Sequence, residues 1–491
     1  MNKVKFLFVA FIAAMLLSCN KDESASLTLE RTSLYFTSWE DSTSQSISYV
    51  ASNAKSVGIG SISEGWTATI NEHSRTITVC PIVVTNKDGI INGELAKEGS
   101  MVVNAKNKEG EAKSYYVNLY IADSQRIDTA GNANCYVVCK PSTNYMFNAS
   151  VRPDGEPLAT ASVKLLWQSN PDIVKHVELI NGNAMFYVVA SEEDSERLEN
   201  TNAVIAACNK SGDVIWSWHI WITNENPLTA YDLYANGKTF MRNNLGAFTN
   251  SDGLSDEQMI LDSHGMYYQW GRKDPFSRPY FHDAAGAEIE DMFDASGVYI
   301  AEELVETASN IGTLKYTTKY PMRFITNASC IEEGGDRIGD WLVKADPTLW
   351  NNNGVKSLYD PCPHGWRVPT ADEFAVLTLS DSEDAMDHSV ARKRFGWHLS
   401  DGNGEYFYPA CGRRRYTDGK IENMSYKEGV YPAQPEPWEG YYWTSTTTAD
   451  GKAICLYFDL TTPSRAVNNK FDIAHSACKA NGLQVRCVKV E

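Results

Sequence analysis

The chain has 491 residues, a length that accommodates about three or four domains. Hydrophobic residues make up 43%, aromatic residues 11% and charged residues 22%, which excludes a disordered chain poor in aromatics. A formal net charge of -18 argues against nucleic acid or an anionic membrane surface as a partner.

At the start, Lys3 and Lys5 precede an apolar run from Phe6 to Leu17. About a dozen apolar residues behind a basic start read as an export signal, expected over 1–18, and are too short to cross a bilayer as a helix. No later stretch approaches the roughly 18 apolar residues that a span needs. Ten cysteines follow Cys19. An even count in an exported chain allows disulfides, but the spacing is no dense framework. Cys135 and Cys139 miss the Cys-x-x-Cys spacing, and no histidine pair stands at zinc-finger spacing. Most of these cysteines are expected in the core as small apolar residues.

From Leu27 the chain alternates in period two. Ser33–Phe36, Gln45–Val50, Trp66–Ile70, Thr76–Val79 and Tyr115–Ile121 are the clearest strands, with Gly, Asn and Ser between them. About seven short strands over 27–122 predict an immunoglobulin-like sandwich with Trp66 in its core. A polar junction at 123–131 leads to a second β-sandwich, expected over 132–226. Its clearest part is a hairpin: Ala203–Cys208, a turn at Asn209–Asp213, and Val214–Ile222. Trp216, Trp218 and Ile220 share one face of the returning strand; Ser217, His219 and Trp221 share the other. Aromatics on both faces predict a strand covered on both sides, with His219 a satisfied core histidine. From Tyr231 loops lengthen and Gly, Trp and Tyr become frequent. The stiffest stretch is Tyr359–Thr370, with three prolines, one glycine and Trp366. Thr370 and Glu373 form a capping box that opens a short helix carrying Phe374 and Leu377 on one face.

Several motifs resemble known families. Leu16-Leu17-Ser18-Cys19 resembles a bacterial lipobox, which implies cleavage before Cys19 and acylation of its sulfur; an ordinary signal with a chance cysteine is the alternative. Asn20-Lys21-Asp22-Glu23 resembles the surface-export signal of Bacteroidetes lipoproteins. The implied address is the outer membrane, facing the exterior, with 19–26 as a lipidated tether; the periplasmic face is the other option. Gly65-Trp66 followed by alternating strands resembles the BACON-type domains of Bacteroidetes surface proteins, spacers found beside glycan-handling modules. Asn134–Val138 together with the Trp-rich hairpin resembles a sandwich found in fimbrillin-like surface proteins. Asp41-Ser42-Thr43 and Asp128-Thr129-Ala130 resemble a Bacteroidetes O-glycosylation signature.

An ordered series covers over half the chain: Phe240–Ala247, Tyr267–Phe276, Tyr359–Thr370, Gly440–Thr446, Ala453–Phe458 and Leu483–Lys489. It resembles the Fibrobacter-succinogenes-type major paralogous domain. The resemblance implies an α+β C-type-lectin-like domain over 227–491, with an insertion at about 278–345. The whole is then mainly β and multidomain: two Ig-like sandwiches followed by the lectin-like domain. Cys362 and Cys487 both belong to the family framework, and the resemblance implies a disulfide between them. Trp366, Trp443 and Tyr457 are framework positions expected in the core.

Formylglycine-generating enzymes share this broad fold and carry a segment like Arg367-Val368-Pro369-Thr370. Their copper-binding cysteine pair lies near the C-terminus, where Cys478 and Cys487 stand here without the surrounding motif. No Gly-x-Ser-x-Gly, His-Glu-x-x-His or Walker pattern occurs. The chain is therefore expected not to be an enzyme, with no catalytic residue, metal or cofactor. Calcium-dependent sugar binding is weakly signalled: Gln434-Pro435-Glu436-Pro437 is a partial match to the lectin loop, and Trp443-Thr444-Ser445 replaces its Trp-Asn-Asp strand. A metal-free contact surface remains. Tyr431 and Trp438 lie on a proline-rich loop, and Arg413, Arg414 and Arg415 are adjacent in an acidic chain. Arginine and rigid aromatics are favoured anchors. The alternative is that Trp438 packs under its loop and the arginines pair with local acids. The expected function is adhesion or recognition as a lipid-anchored tip-like component beside fimbrial subunits, binding a host or bacterial surface protein or glycan. The alternatives are glycan capture beside a carbohydrate-uptake system and a structural stalk.

Overall fold

The computed structural model describes residues 24–36, 38–39, 44–86, 89–90, 97–121, 123–252, 260–277, 279–282, 288–290, 292–330, 339–350, 354–380, 393–424, 438–449, 451–460 and 471–491. The export signal, Cys19, the first part of the tether, Asp41–Thr43 and Tyr431 lie outside these residues. No described helix is long and apolar enough to cross a membrane. The chain is mainly β and divides into two compact units, Met1–Gln125 with Ser142–Tyr145, and Arg126–Pro141 with Met146–Glu491.

The first unit holds two four-stranded sheets. One runs in the order Ser26–Leu29, Gln45–Ser52, Thr76–Pro81, Trp66–Asn71; the other Ser33–Phe36, Ala112–Ile121, Glu98–Lys106, Ser56–Ile62. Neighbours are antiparallel except Ala112–Ile121 with Ser33–Phe36, which are parallel. Alternation decides the packing. Ile77 and Val79 from one sheet, and Met101, Val103, Val117 and Leu119 from the other, are fully buried in a common core. Each such side chain contributes about 1.5–3 kcal/mol by leaving water. Trp66 is buried there, edge-on to Phe36 at 5.1 Å and Trp39 at 5.2 Å. Two strands were not legible in the sequence. Ser56–Ile62 carries two glycines and breaks register between Ile59 and Ser61. Its Gly60 lies against Asn104, whose amide nitrogen would stand 2.4 Å from a methyl at that position. Glu98–Lys106 opens with Glu-Gly-Ser, which reads as a turn.

In the second unit, one sheet runs Cys135–Val138, Val214–Ile222, Thr201–Cys208, Ser162–Gln168. The expected hairpin is present, with Ile205 opposite Trp218 and Val204 opposite His219. Its turn is fixed by Asn209, whose Oδ1 accepts the Ser211 and Asp213 N–H groups, and by Gly212 at φ 82°. On one face, Trp218 packs edge-on to Phe147 at 5.0 Å, and Phe147 meets Phe186 at 6.4 Å. Phe186 belongs to the antiparallel pair Val174–Ile180 and Asn183–Val188.

The other face is covered by residues beyond 226. Trp221 Nε1 donates to Ala247 O at 3.1 Å, and Lys273 Nζ donates to Ser217 O at 2.9 Å. The expected boundary at 226/227 therefore does not separate compact units: the Trp-rich strand needs cover on both faces, and the following region supplies it. Among the described residues, four sheets of three or four strands build that region, beside two two-stranded pairs, Pro279–His282 with Glu288–Glu290 and Glu303–Glu306 with Arg323–Thr326. Tyr231–Leu233, Thr239–Met241, Val488–Lys489 and Trp366–Arg367 form one; Tyr268–Gln269, Gly482–Leu483, Arg413–Arg414 and Ile421–Glu422 form another. Glu439–Thr447, Ala453–Asp459 and Phe471–Ala477 form the third, and Thr378–Leu379, Gly396–Ser400 and Glu405–Pro409 the fourth. The α-helices Leu314–Lys319 and Ala371–Phe374 are short, so this part too is chiefly β. Described residues of the stretch expected as an insertion at 278–345 contribute to the core. Phe324, Ile325 and Trp341 in it are fully buried, and Ile325 O accepts from Gln269 Nε2 at 2.8 Å.

Tyr359–Thr370 is a scaffold corner. Asp360 accepts from Cys362 N at 2.9 Å, Val368 N at 2.8 Å and Lys356 Nζ at 2.8 Å. The same ammonium donates to the carbonyls of Cys362 at 2.7 Å and Trp366 at 2.8 Å. Cys362 and Cys487 are joined by a disulfide across 125 residues. Thr370 N donates to Glu373 Oε2 at 2.8 Å, and Arg367 grips both carboxylate oxygens at 2.8 and 2.6 Å. Burial alone would raise the Glu373 carboxyl, but Arg367 and the Thr370 N–H hold it below its ordinary value. The helix that this box opens is only four residues long; Leu377, beyond its end, is buried.

Candidate functional site

Of the residues expected to bind a ligand, Arg413, Arg414, Arg415 and Trp438 are among the described residues and are tied into the fold. Arg413 Nε donates to Glu422 Oε1 at 2.9 Å, and its guanidinium lies 5.3 Å from the Tyr441 ring centre. Arg414 is 2% exposed. Its Nε donates to Gly419 O at 3.0 Å and its Nη1 to Ser277 O at 3.2 Å, while Nη2 lies 2.7 Å from Glu302 Oε2. Arg415 chelates Asp418, with Nε 2.9 Å from Oδ1, and reaches Glu422 Oε2 at 3.4 Å. Its hydrogen bonds hold the Asp418 carboxyl below the usual range. The three arginines thus pair with local acids. Trp438 is half-buried and stacks on Phe395 at 5.9 Å. Next to it, Glu439 is buried and accepts from Tyr441 Oη at 2.6 Å, Tyr457 Oη at 2.7 Å and the Asn423 amide. Burial pushes its carboxyl up. Arg413 lies beside this network through Tyr441, while Arg414 is buried and Arg415 keeps part of its side chain exposed.

A cleft elsewhere in the second unit has the dimensions of a ligand site. It encloses about 680 Å³, within the range of small-molecule pockets. Strand register creates it. Ser162–Gln168, Thr201–Cys208 and Val214–Ile222 are adjacent and antiparallel, so the end of the first, the start of the second and the end of the third coincide. Ser169, Asn170, the loop Ser191–Asn200 and Asn224 all leave from that end. Phe248, Asp262, Met266, Ser277 and Phe293, from beyond 226, form the facing wall.

The floor is locked before any ligand arrives. Asn224 Nδ2 donates to Leu198 O at 2.8 Å and to Asn200 Oδ1 at 3.1 Å, and its Oδ1 accepts Leu198 N at 2.9 Å. Ser191 Oγ bonds Glu199. Asn202 Nδ2 donates to Gly246 O at 2.9 Å, so its Oδ1 is the acceptor for His219 Nε2 at 2.8 Å. His219 Nδ1 then accepts the Tyr268 hydroxyl at 3.2 Å. Both ring nitrogens are used by a neutral imidazole, whose pKa burial pushes down to about 3. His219 is thus the satisfied core histidine that its strand implied. By contrast, among the described residues the Asn170 amide and the exposed Arg197 guanidinium meet no side-chain partner. Ser277 Oγ, buried in the wall, has no hydrogen-bond partner among the described residues.

Amides, hydroxyls and carboxylates beside two phenylalanines suit a ligand with many hydroxyls and apolar C–H faces. Charge in the lining is unbalanced: Glu193, Asp194, Glu199 and Asp262 face one guanidinium, Arg197. Sequence reasoning missed this site. Asn170, Asn200 and Asn224 are loop residues next to strands and read as turn-formers. Among the described residues no group of three metal-ligating side chains is assembled.

No protein-family model matches the chain, and no curated protein matches it. Solved structures do. An endo-fucoidan hydrolase, MfFcnA4 of glycoside hydrolase family 107, is 11% identical over 42% of this chain and 29% of its own, with TM-score 0.17. The human desmocollin-1 ectodomain is 10% identical over 47% of this chain and 45% of its own, with TM-score 0.16. SGBP-B of the Bacteroides ovatus mixed-linkage glucan utilization locus, in complex with a mixed-linkage heptasaccharide, is 8% identical over 37% of this chain and 41% of its own, with TM-score 0.12. The chain thus spans under half the length of each. The likeness is one of mainly β architecture and carries no argument for a shared activity. It does correct one expectation. With glycoside hydrolases among the similar structures, the expectation that this chain is not an enzyme is withdrawn.

Proposed function

We propose that this protein recognises a saccharide at the cell surface and holds it in the cleft between the ends of the sandwich strands and the wall formed by Phe248, Asp262, Met266, Ser277 and Phe293. One observation carries the reading: a cleft of about 680 Å³ whose amide floor is fixed by internal hydrogen bonds, with Asn170 and Arg197 left to meet a ligand. A prelocked floor lowers the entropy lost on binding. Phe248 and Phe293 give the C–H faces of a sugar ring an apolar wall. The N-terminal signal and Cys19 support a lipid anchor in the outer membrane. Display on the exterior fits both adhesion to a surface glycan, with or without fimbrial subunits, and capture of a glycan for uptake. The lectin-like reading of 227–491 and its Bacteroidetes family stand as part of this proposal, supported by the motif series quoted above.

A glycan array probed with the purified protein tests the reading. Saturable binding to a defined oligosaccharide, lost in Asn170→Ala and kept in Trp438→Ala, is the expected result. Loss in Trp438→Ala with Asn170→Ala unaffected would move the site to the loop at 438. No binding to any glycan would remove the proposal. Analysis of the bound oligosaccharides for new reducing ends reads any hydrolysis in the same experiment.

A further inference from the structure

Cys330 and Cys478 are separated by 148 residues, yet their sulfur atoms lie 2.6 Å apart. Non-bonded heavy atoms rest at about 3.5–4.0 Å, and bonded sulfurs at about 2.05 Å. The two thiols are therefore well inside contact distance. Their surroundings hold them there. Both residues are 5% exposed. Cys330 N donates to Asn327 O at 3.1 Å, and Asn327 Nδ2 donates to Asp340 O at 2.7 Å. Next to the second sulfur, Lys479 N donates to Gly339 O at 2.8 Å. Gly339 roofs the pair: a methyl at that position would stand 2.1 Å from Cys330 Sγ and 2.3 Å from Cys478 Sγ. Only a glycine fits over two sulfurs held this close.

We propose that Cys330 and Cys478 form a second disulfide, which ties the segment after Arg323–Thr326 to the end of Phe471–Ala477. The oxidant is a disulfide-bearing protein or small molecule of the kind that oxidises Cys362 and Cys487. One thiol, as its thiolate, attacks the oxidant's disulfide and forms a mixed disulfide; the second thiolate then displaces the oxidant. One sulfur–sulfur bond forms here and one breaks in the oxidant. Two electrons pass to the oxidant, and the two thiol protons end on its dithiol. Because both sulfurs are enclosed in the finished fold, the exchange takes place before Gly339 is seated over them.

The test is disulfide mapping of the full-length protein after refolding in a glutathione redox buffer. Free thiols are alkylated in denaturant without reduction, and the digest is read by mass spectrometry. The expected result is a cross-linked peptide joining Cys330 to Cys478, two hydrogens lighter than the reduced pair. Alkylation of both cysteines, or either one linked to a different cysteine, overturns the proposal, whatever the state of Cys362 and Cys487. In Cys330→Ser, Cys478 is expected to alkylate fully while the Cys362–Cys487 peptide is unchanged; a Cys478 still protected in another disulfide also overturns it. Mapping of the unsubstituted chain decides the matter even if that variant fails to fold.

Discussion

Replacing Arg414 by alanine separates a binding arginine from a structural one. In the folded chain this guanidinium is 2% exposed and lies 2.7 Å from Glu302 Oε2, itself almost fully buried. Removing it strands the carboxylate, and breaking a buried pair costs about 3–5 kcal/mol. The Gly419 and Ser277 carbonyls lose a donor as well. The low end of that range applies, because Oε2 meets Arg414 as a charge contact more than an aligned hydrogen bond and Glu302 keeps the Ser277 N–H at 3.2 Å. In a unit larger than 250 residues, each kcal/mol moves the melting point by about 2 °C, so the loss is about 6–8 °C. Differential scanning fluorimetry reads it directly. The double variant Arg414→Ala/Glu302→Gln should recover part of the loss, because no charge is then left unpaired. An Arg414→Ala protein that melts within about 1 °C of the unsubstituted chain, the behaviour of a surface substitution, would refute the reasoning.

Acid unfolding should report Glu373. Its folded carboxyl is held below the ordinary value, so its contribution is complete above about pH 4.3 and is lost as pH falls through the lowered folded value. Glu373→Gln should lower stability at neutral pH and flatten that acid limb in urea melts across pH 2–6; an unchanged limb would contradict the assignment. Cys362→Ser should cost about 2–5 kcal/mol in urea denaturation, since it releases a loop of 125 residues; a midpoint unchanged from the oxidised parent would contradict it. With four carboxylates against one guanidinium in its lining, the cleft should bind a sulfated oligosaccharide roughly tenfold more weakly than its neutral counterpart. The gap should narrow as salt rises, because charges are screened over about 10 Å at 0.1 M; equal affinities at low salt would contradict it.

What was legible in the sequence was whatever one strand or one turn decides alone. Thr76–Pro81 alternates strictly, and its inward residues are the buried ones. The turn at Asn209–Gly212 carries its own chemistry, so the hairpin around it could be read directly. Ser56–Ile62 was hidden because its Gly60 serves a close approach to Asn104 that only the paired strand reveals. The missing division at 226 has the same origin. Trp221 and Ser217 show that a strand is covered on both faces, but not that the cover comes from the residues that follow it. Arg413 to Arg415 could be seen as a cluster, while their partners Glu422, Glu302 and Asp418 could be chosen only by the fold. The cleft was least legible. Asn170, Asn200 and Asn224 are ordinary turn residues until antiparallel register brings three strand ends together.

Hydrogen exchange of the protein with and without a saturating array-selected oligosaccharide tests the central claim most directly. Saccharide held in the cleft should slow exchange in the loops 169–171 and 191–200 and leave 413–424 and 438–447 unchanged. Protection confined to 413–447, with 191–200 unaltered, would contradict the account.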